Sequence, residues 1–139
     1  MDETHPEPPL LPKDPAVRAE VRSLALHVAC EIHPLNNLRV LQHLKQRLGL
    51  EEAEVNAWYR HWIAEGFASL ETRLKRGAGT YCHGDSVTLA DVCLVPQVYN
   101  ARRYNCDLAP FGTIRRVEAA CQELPAFERA RPERQPDAA

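Results

Sequence analysis

The chain has 139 residues, with 17 lysines and arginines against 19 aspartates and glutamates, a formal charge of −2 and 45% hydrophobic residues. That is enough for one domain whose core needs no metal or disulfide staple, and the scattered, nearly balanced charge excludes the basic footprint of a nucleic-acid binder. The five cysteines (Cys30, Cys82, Cys93, Cys106 and Cys121) form no CxxC pair and read as reduced structural thiols, while the acidic, proline-rich start and the lack of an apolar run of ~18 residues point to a cytoplasmic protein with neither signal peptide nor membrane span.

Residues 1–13 hold four of the eleven prolines and no periodic apolar pattern, so they read as the remnant of an interdomain linker. Asp14-Pro15 then supplies an N-cap followed by proline at the first helical position. Val17, Val21, Leu24, Ala25, Val28 and Ile32 draw one apolar stripe along the first helix, which Pro34 is expected to end or bend. A second stripe, Leu38, Leu41, Leu44 and Leu48, stops at Gly49, a candidate left-handed cap. A third runs through Val55, Trp58, Trp62, Phe67, Leu70 and Leu74, with Gly66 as a close-approach point and Gly77 and Gly79 at its end. Trp58, Tyr59 and Trp62 read as core or domain-interface aromatics.

Thr88 and Asp91 form a capping box at the start of the fourth helix, with Val87 and Val92 spaced as a hydrophobic staple. Pro96 falls inside that helix and predicts a kink. A fifth helix is expected over 113–124, with Ile114, Val117, Ala120 and Cys121 inward, before Pro125 stops it. The tail, 126–139, is too polar and proline-rich to fold independently. No strand-like alternation longer than a few residues appears, so the expected fold is an all-α bundle of four to six helices occupying 14–125.

The phosphate-cradling glycine loop, the GxSxG elbow and the HExxH helix are all absent, and no histidines are spaced to share a metal. Two polar clusters interrupt the apolar pattern. His33, Asn36, Asn37 and Arg39 surround Pro34, and Arg39 offers a guanidinium fork for a carboxylate. Tyr99 and Arg103 are four residues apart and share a helix face, which suits one wall of a pocket. Cys82 follows glycine-rich sequence, yet no neighbouring cation is evident to lower its pKa.

The stretches IHPLNNLRVL (32–41), YCHGDSVTLADVCLVPQVYNARRYNCDL (81–108), TIRR (113–116) and LPAFERARPERQPDA (124–138) resemble the C-terminal helical domain of zeta-class glutathione transferases, the maleylacetoacetate isomerase family. With LLPKDP (10–15), the likeness covers essentially the whole chain. It implies a glutathione-dependent cis–trans isomerase of maleylacetoacetate, or of the similar maleylpyruvate, with glutathione as cofactor and a small dicarboxylate as substrate. It places His33, Asn37, Leu38 and Arg39 in the glutathione-contacting segment, Leu38 mainly through its backbone. It matches Arg39 and Arg103 to positions that hold substrate carboxylates. The family's thioredoxin-like half, which activates the thiol, is absent from these 139 residues. No catalytic residue is therefore assigned here, the chain alone is expected to be inactive, and the intact protein is expected to be a homodimer. Two other readings are a non-catalytic transferase-like interaction module and a transferase acting on small halogenated acids.

Overall fold

The computed structural model describes residues 4–5 and 7–138. Asp14 opens helix α1 (Pro15–Leu26): its Oδ1 accepts from the N–H groups of Ala16 and Val17, both at 2.9 Å, and Pro15 occupies the first turn, where no N–H is needed. Upstream, the Leu10 carbonyl accepts from the Leu89 N–H at 2.9 Å, and Leu11 packs against the core, so the linker-like segment is fastened at its end.

The first helix does not stop at Pro34. It widens into a π-helical segment over His27–Ile32, continues as α2 (His33–Asn36), and ends at Asn37, whose ψ of 159° is extended. A proline ring clashes with the carbonyl four residues back and offers no N–H to it. The wider turn, in which the His33 N–H reaches back to the Val28 carbonyl, carries the chain past that obstacle. Helix α3 (Leu38–Gln46) buries Leu41 and Leu44, whereas Leu38 and Leu48 are 69% and 60% exposed, so the expected four-leucine stripe is core only in its middle. Gly49 has φ +69°, as a left-handed cap requires.

Helix α4 (Glu52–Gly77) is the longest and buries Val55, Tyr59, Ile63, Phe67, Leu70 and Leu74. Trp58 and Trp62 lie one position away on a half-buried flank and meet edge to face, with centroids 5.5 Å apart. Gly66 is a close-approach point: a Cβ there would stand 2.4 Å from Ile32 Cγ1. Helix α5 (Leu89–Arg103) begins at the capping box, which is closed in both directions. Asp91 is fully buried; its Oδ2 accepts from the Thr88 N–H at 2.8 Å and hydroxyl at 2.9 Å, and its Oδ1 accepts from the Cys82 N–H at 2.8 Å. Val92 is 40% exposed, too open to be the buried end of a staple. Asn105, at φ +54°, closes α5, with the Cys106 N–H bonded to the Ala101 carbonyl at 2.9 Å.

Helix α6 (Gly112–Gln122) is capped from outside its own sequence. Its N-cap residue, Phe111, offers no side-chain acceptor; instead the buried Glu71 of α4 accepts from the N–H groups of Thr113 and Ile114, both at 2.9 Å. Pro125 starts rather than stops a helix, α7 (Pro125–Arg129), followed by a 3₁₀ turn at Pro132–Arg134. These polar residues fold by leaning on the bundle: Phe127 packs against the core, and Arg131 donates to Gln122 at 3.0 Å. Helix α5 packs on α1, α6 and the π segment, while α4 closes the other side against α6, the π segment, α2 and α3. Among the described residues there is no strand, only an isolated bridge between Ala78 and Gly84.

Candidate functional site

The residues singled out from the sequence lie on two segments, one spanning α2 and the start of α3, the other the last turns of α5. Asn37 is the joint in the first: its Oδ1 accepts from the Val40 N–H at 3.3 Å and its Nδ2 donates to the Pro34 carbonyl at 2.8 Å. The side chain thus ends one helix and caps the next. Leu38 and Arg39 then occupy the first two positions of α3, where backbone N–H groups have no intrahelical acceptor and lie at the positive end of the helix dipole. His33, Leu38 and Arg39 are exposed.

Helix α4 holds this segment from below. Trp58 Nε1 donates to the Leu35 carbonyl at 2.8 Å, and the buried Asn36 donates to the Tyr59 carbonyl at 3.5 Å. Asn36 Oδ1 has no partner among the described residues.

On α5 the two adjacent arginines part ways. Arg102 forms a bidentate pair with the buried Glu118, at 2.7 and 2.9 Å, which together with the opposing carboxylate charge raises the guanidinium pKa against the cost of burial. Arg103 is exposed, its guanidinium carbon 5.7 Å from the ring centroid of Tyr104. Tyr104 in turn stacks on Tyr59. Leu38 and Tyr104, the chain neighbours of Arg39 and Arg103, line one hollow of about 340 Å³ with Leu41 and Val55. The fold therefore brings the two segments together at this hollow, although neither guanidinium lines it.

Tyr99 lies elsewhere. With Arg102, and not with the expected Arg103, it lines a larger cavity of about 680 Å³ between α5, α6 and the C-terminal residues, walled by Val92, Val95, Pro96 and Phe127. The Glu133 carboxylate nearby is the main reason the Tyr99 pKa is raised. Cys82 is 2% exposed, and burial, followed by the charge of Asp91, pushes its thiol far above the ordinary value. Burial likewise raises Cys93, Cys106 and Cys121, so none of these four is prepared as a nucleophile. The sequence offered no sign of Glu71 or Glu118, since a buried carboxylate and a solvated one look alike until their partners are known.

The family model described as "Glutathione S-transferase, C-terminal domain" matches residues 52–131, more than half of the chain. The chain belongs to that family. It is 51% identical, over 138 residues, to a probable maleylacetoacetate isomerase of Vibrio cholerae, covering 99% of this chain and 64% of that protein. The structure of a maleyl pyruvate isomerase, described as a bacterial zeta-class transferase, superposes with a TM-score of 0.97 at 50% identity, covering 99% of this chain and 66% of that one. A maleylacetoacetate isomerase from Anaeromyxobacter dehalogenans, solved with dicarboxyethyl glutathione and citrate in its active site, gives 0.94 at 49% identity, with 99% and 63% covered. The chain thus spans a little under two thirds of the length of these relatives. Among the described residues no helix is long and apolar enough to cross a membrane.

Proposed function

We propose that this chain is the helical, substrate-holding part of a glutathione-dependent cis–trans isomerase acting on maleylacetoacetate or maleylpyruvate. The observation that carries this reading is identity near one half across 99% of the chain to proteins bearing those names, together with the meeting of the Leu38 and Tyr104 segments at one hollow. The start of α3 suits an anionic tripeptide: two backbone N–H groups at a positive helix end, the Arg39 guanidinium beside them, and the exposed apolar Leu38. When bound, glutathione supplies a thiol that adds reversibly to the activated double bond and so frees it to rotate.

In this reading His33, Asn37, Leu38 and Arg39 hold glutathione, Leu38 through its backbone. Asn37 acts largely by shaping the turn, since both ends of its amide are already bonded locally. Arg39 and Arg103 hold the carboxylates of the diacid. Arg103 has no carboxylate partner among the salt bridges of the described residues, which leaves its fork open to a ligand. Fixed positive charge there also favours the enolate that develops as the double bond opens.

The thiol-activating group belongs to a thioredoxin-like domain upstream of this chain. Two features support a seat for that domain on the 680 Å³ groove: its apolar wall of Val92, Val95, Pro96 and Phe127, and the fastening of Leu10 to Leu89, which brings the upstream chain to the start of α5. The intact protein is read as a cytoplasmic homodimer, in keeping with five free thiols suited to a reducing compartment.

The test is isomerisation of a maleyl diacid with glutathione, by this chain alone and by the chain joined to an upstream thioredoxin-like domain. Negligible turnover alone and glutathione-dependent turnover when joined support the reading. Turnover by the isolated chain comparable to that of a complete enzyme, or none by the joined protein, refutes it.

A further inference from the structure

The π segment has a seat of its own, built by one residue of α4. His27 and Ile32 are its first and last residues, and both rest on Gly66. His27 Nε2 lies 3.0 Å from the Gly66 carbonyl oxygen, to which it donates as the Nε2–H tautomer. At the other end the buried Ile32 side chain fills the space where a Cβ of residue 66 would lie, at 2.4 Å from its Cγ1 and 2.7 Å from its Cδ1. Seven and eight residues earlier on the same helix, Tyr59 and Trp58 hold Asn36 and Leu35. Two helical turns of α4 therefore grip the chain from His27 to Asn36, immediately before Asn37, Leu38 and Arg39.

A π turn is wider than the α-helix on either side of it and persists where its surroundings hold it. Here Pro34 makes a regular helix costly, yet it does not dictate how far the widened turn rotates the residues that follow. That rotation sets where Asn37 caps α3 and where Arg39 projects. We propose that His27 and Gly66 are positioning residues for the His33–Arg39 segment, fixing through the π turn the geometry with which that segment meets glutathione. This rests on the reading of that segment as the glutathione-contacting one, and it assigns function to two residues that do not themselves line the hollow beside Leu38.

The test uses the ¹⁵N-labelled chain. His27→Gln keeps an N–H donor near the Nε2 position, His27→Met keeps bulk without a donor, and Gly66→Ala displaces Ile32. Amide hydrogen exchange is read at Val40 and Leu41, whose N–H groups bond the Asn37 carbonyl, and at Thr113 and Ile114 on α6 as a remote reference. The expected result is exchange about tenfold faster at Val40 and Leu41 in His27→Met and Gly66→Ala, little change on α6, and recovery in His27→Gln. The same substitutions, in the chain joined to an upstream thioredoxin-like domain, are titrated with glutathione, and shifts at residues 37–39 are expected to weaken in His27→Met and return in His27→Gln.

Exchange unchanged at Val40 and Leu41, or raised equally on α6, overturns the proposal; so does weak binding in His27→Gln equal to that in His27→Met. Should Gly66→Ala fail to fold, the two His27 variants decide. An Arg39→Ala control separates the two readings. If it weakens the glutathione shifts while the His27 variants do not, the positioning role falls and the site reading stands. If the joined parent protein shows no shift at 37–39, the site reading falls and the positioning role falls with it.

Discussion

Tyr59 and Tyr104 lie face to face, their ring centroids 3.5 Å apart and their planes 7° from parallel. Tyr59 is a core residue of α4 and Tyr104 the first residue beyond α5, so the stack fastens the arginine-bearing end of α5 to the helix that also holds Asn36. Tyr104→Ala removes the stacked ring and opens the hollow beside Leu38. It should lower unfolding free energy by about 2–3 kcal/mol in urea titrations. Tyr104→Phe keeps the ring and should stay within about 1 kcal/mol of the parent. Equal losses for both variants would show that the hydroxyl, rather than the stack, carries the contact.

The same stack shapes the alkaline limit of stability. Burial, then the neighbouring Tyr104, pushes the Tyr59 phenol from its ordinary 10.0 up to about 12; burial and Asp91 push the Cys121 thiol from 9.0 to about 12. Both groups are held neutral by the fold. Their contribution is complete below the unfolded values and is lost as pH rises towards the folded ones. The urea midpoint should therefore hold between about pH 7 and 9 and fall from about 9 to 12. Thiol labelling supplies a second check: near neutral pH the exposed Cys30 should react first, and the buried Cys82 and Cys121 only when the chain unfolds.

Glu71 sets the opposite limit. Burial alone would raise its pKa, but the bonds from Ile114 and Thr113, with help from Lys75, hold it below the ordinary 4.5. Its contribution is present above the unfolded value and is lost as pH falls through the lower, folded one. Glu71→Ala leaves two N–H groups at the start of α6 without their acceptor and should cost about 2–3 kcal/mol at neutral pH. Glu71→Gln retains one good acceptor and should cost roughly half of that. The gap between parent and Glu71→Gln should narrow in acid; a gap independent of pH would mean that the carboxylate charge is not what caps α6.

How much of this was legible beforehand depended on whether the physics was local. The Thr88–Asp91 box, the left-handed Gly49 and the proline-capped α1 are set by residues within a few positions of one another, and they stand where the sequence puts them. The phase of α4 was not legible. From Val55, steps of three or four lead equally to Trp58 and Trp62 or to Tyr59 and Ile63, and a helix packed on several neighbours has no single apolar stripe to break the tie. The π segment was only half legible: Pro34 announces an interruption of the helix, but the contact with Gly66, 34 to 39 positions away in sequence, leaves no local sign. Arg39 and Arg103 were legible as residue types capable of gripping a carboxylate. That their segments share one hollow came from the fold.

Arg102 and Arg103 are the sharpest case, because nothing in their types separates them. Arg102 is committed to the buried Glu118, whose only other side-chain bond among the described residues is from the Gln122 amide at 3.3 Å, so Arg102→Ala strands a carboxylate largely out of water. Its own partial exposure limits the loss to about 1–3 kcal/mol, read in urea unfolding. Arg103→Ala removes an exposed side chain and should change stability by no more than about 0.5 kcal/mol. In the proposed isomerase, however, it should raise the KM for the diacid or lower kcat, and Arg103→Lys should recover only part of the loss, because an ammonium keeps the charge without the fork. Arg102→Ala differs in kind: stability falls there, a loss that Arg103→Ala should not reproduce. If Arg103→Ala left both stability and kinetics untouched, the carboxylate clamp would have to be sought elsewhere on the bundle.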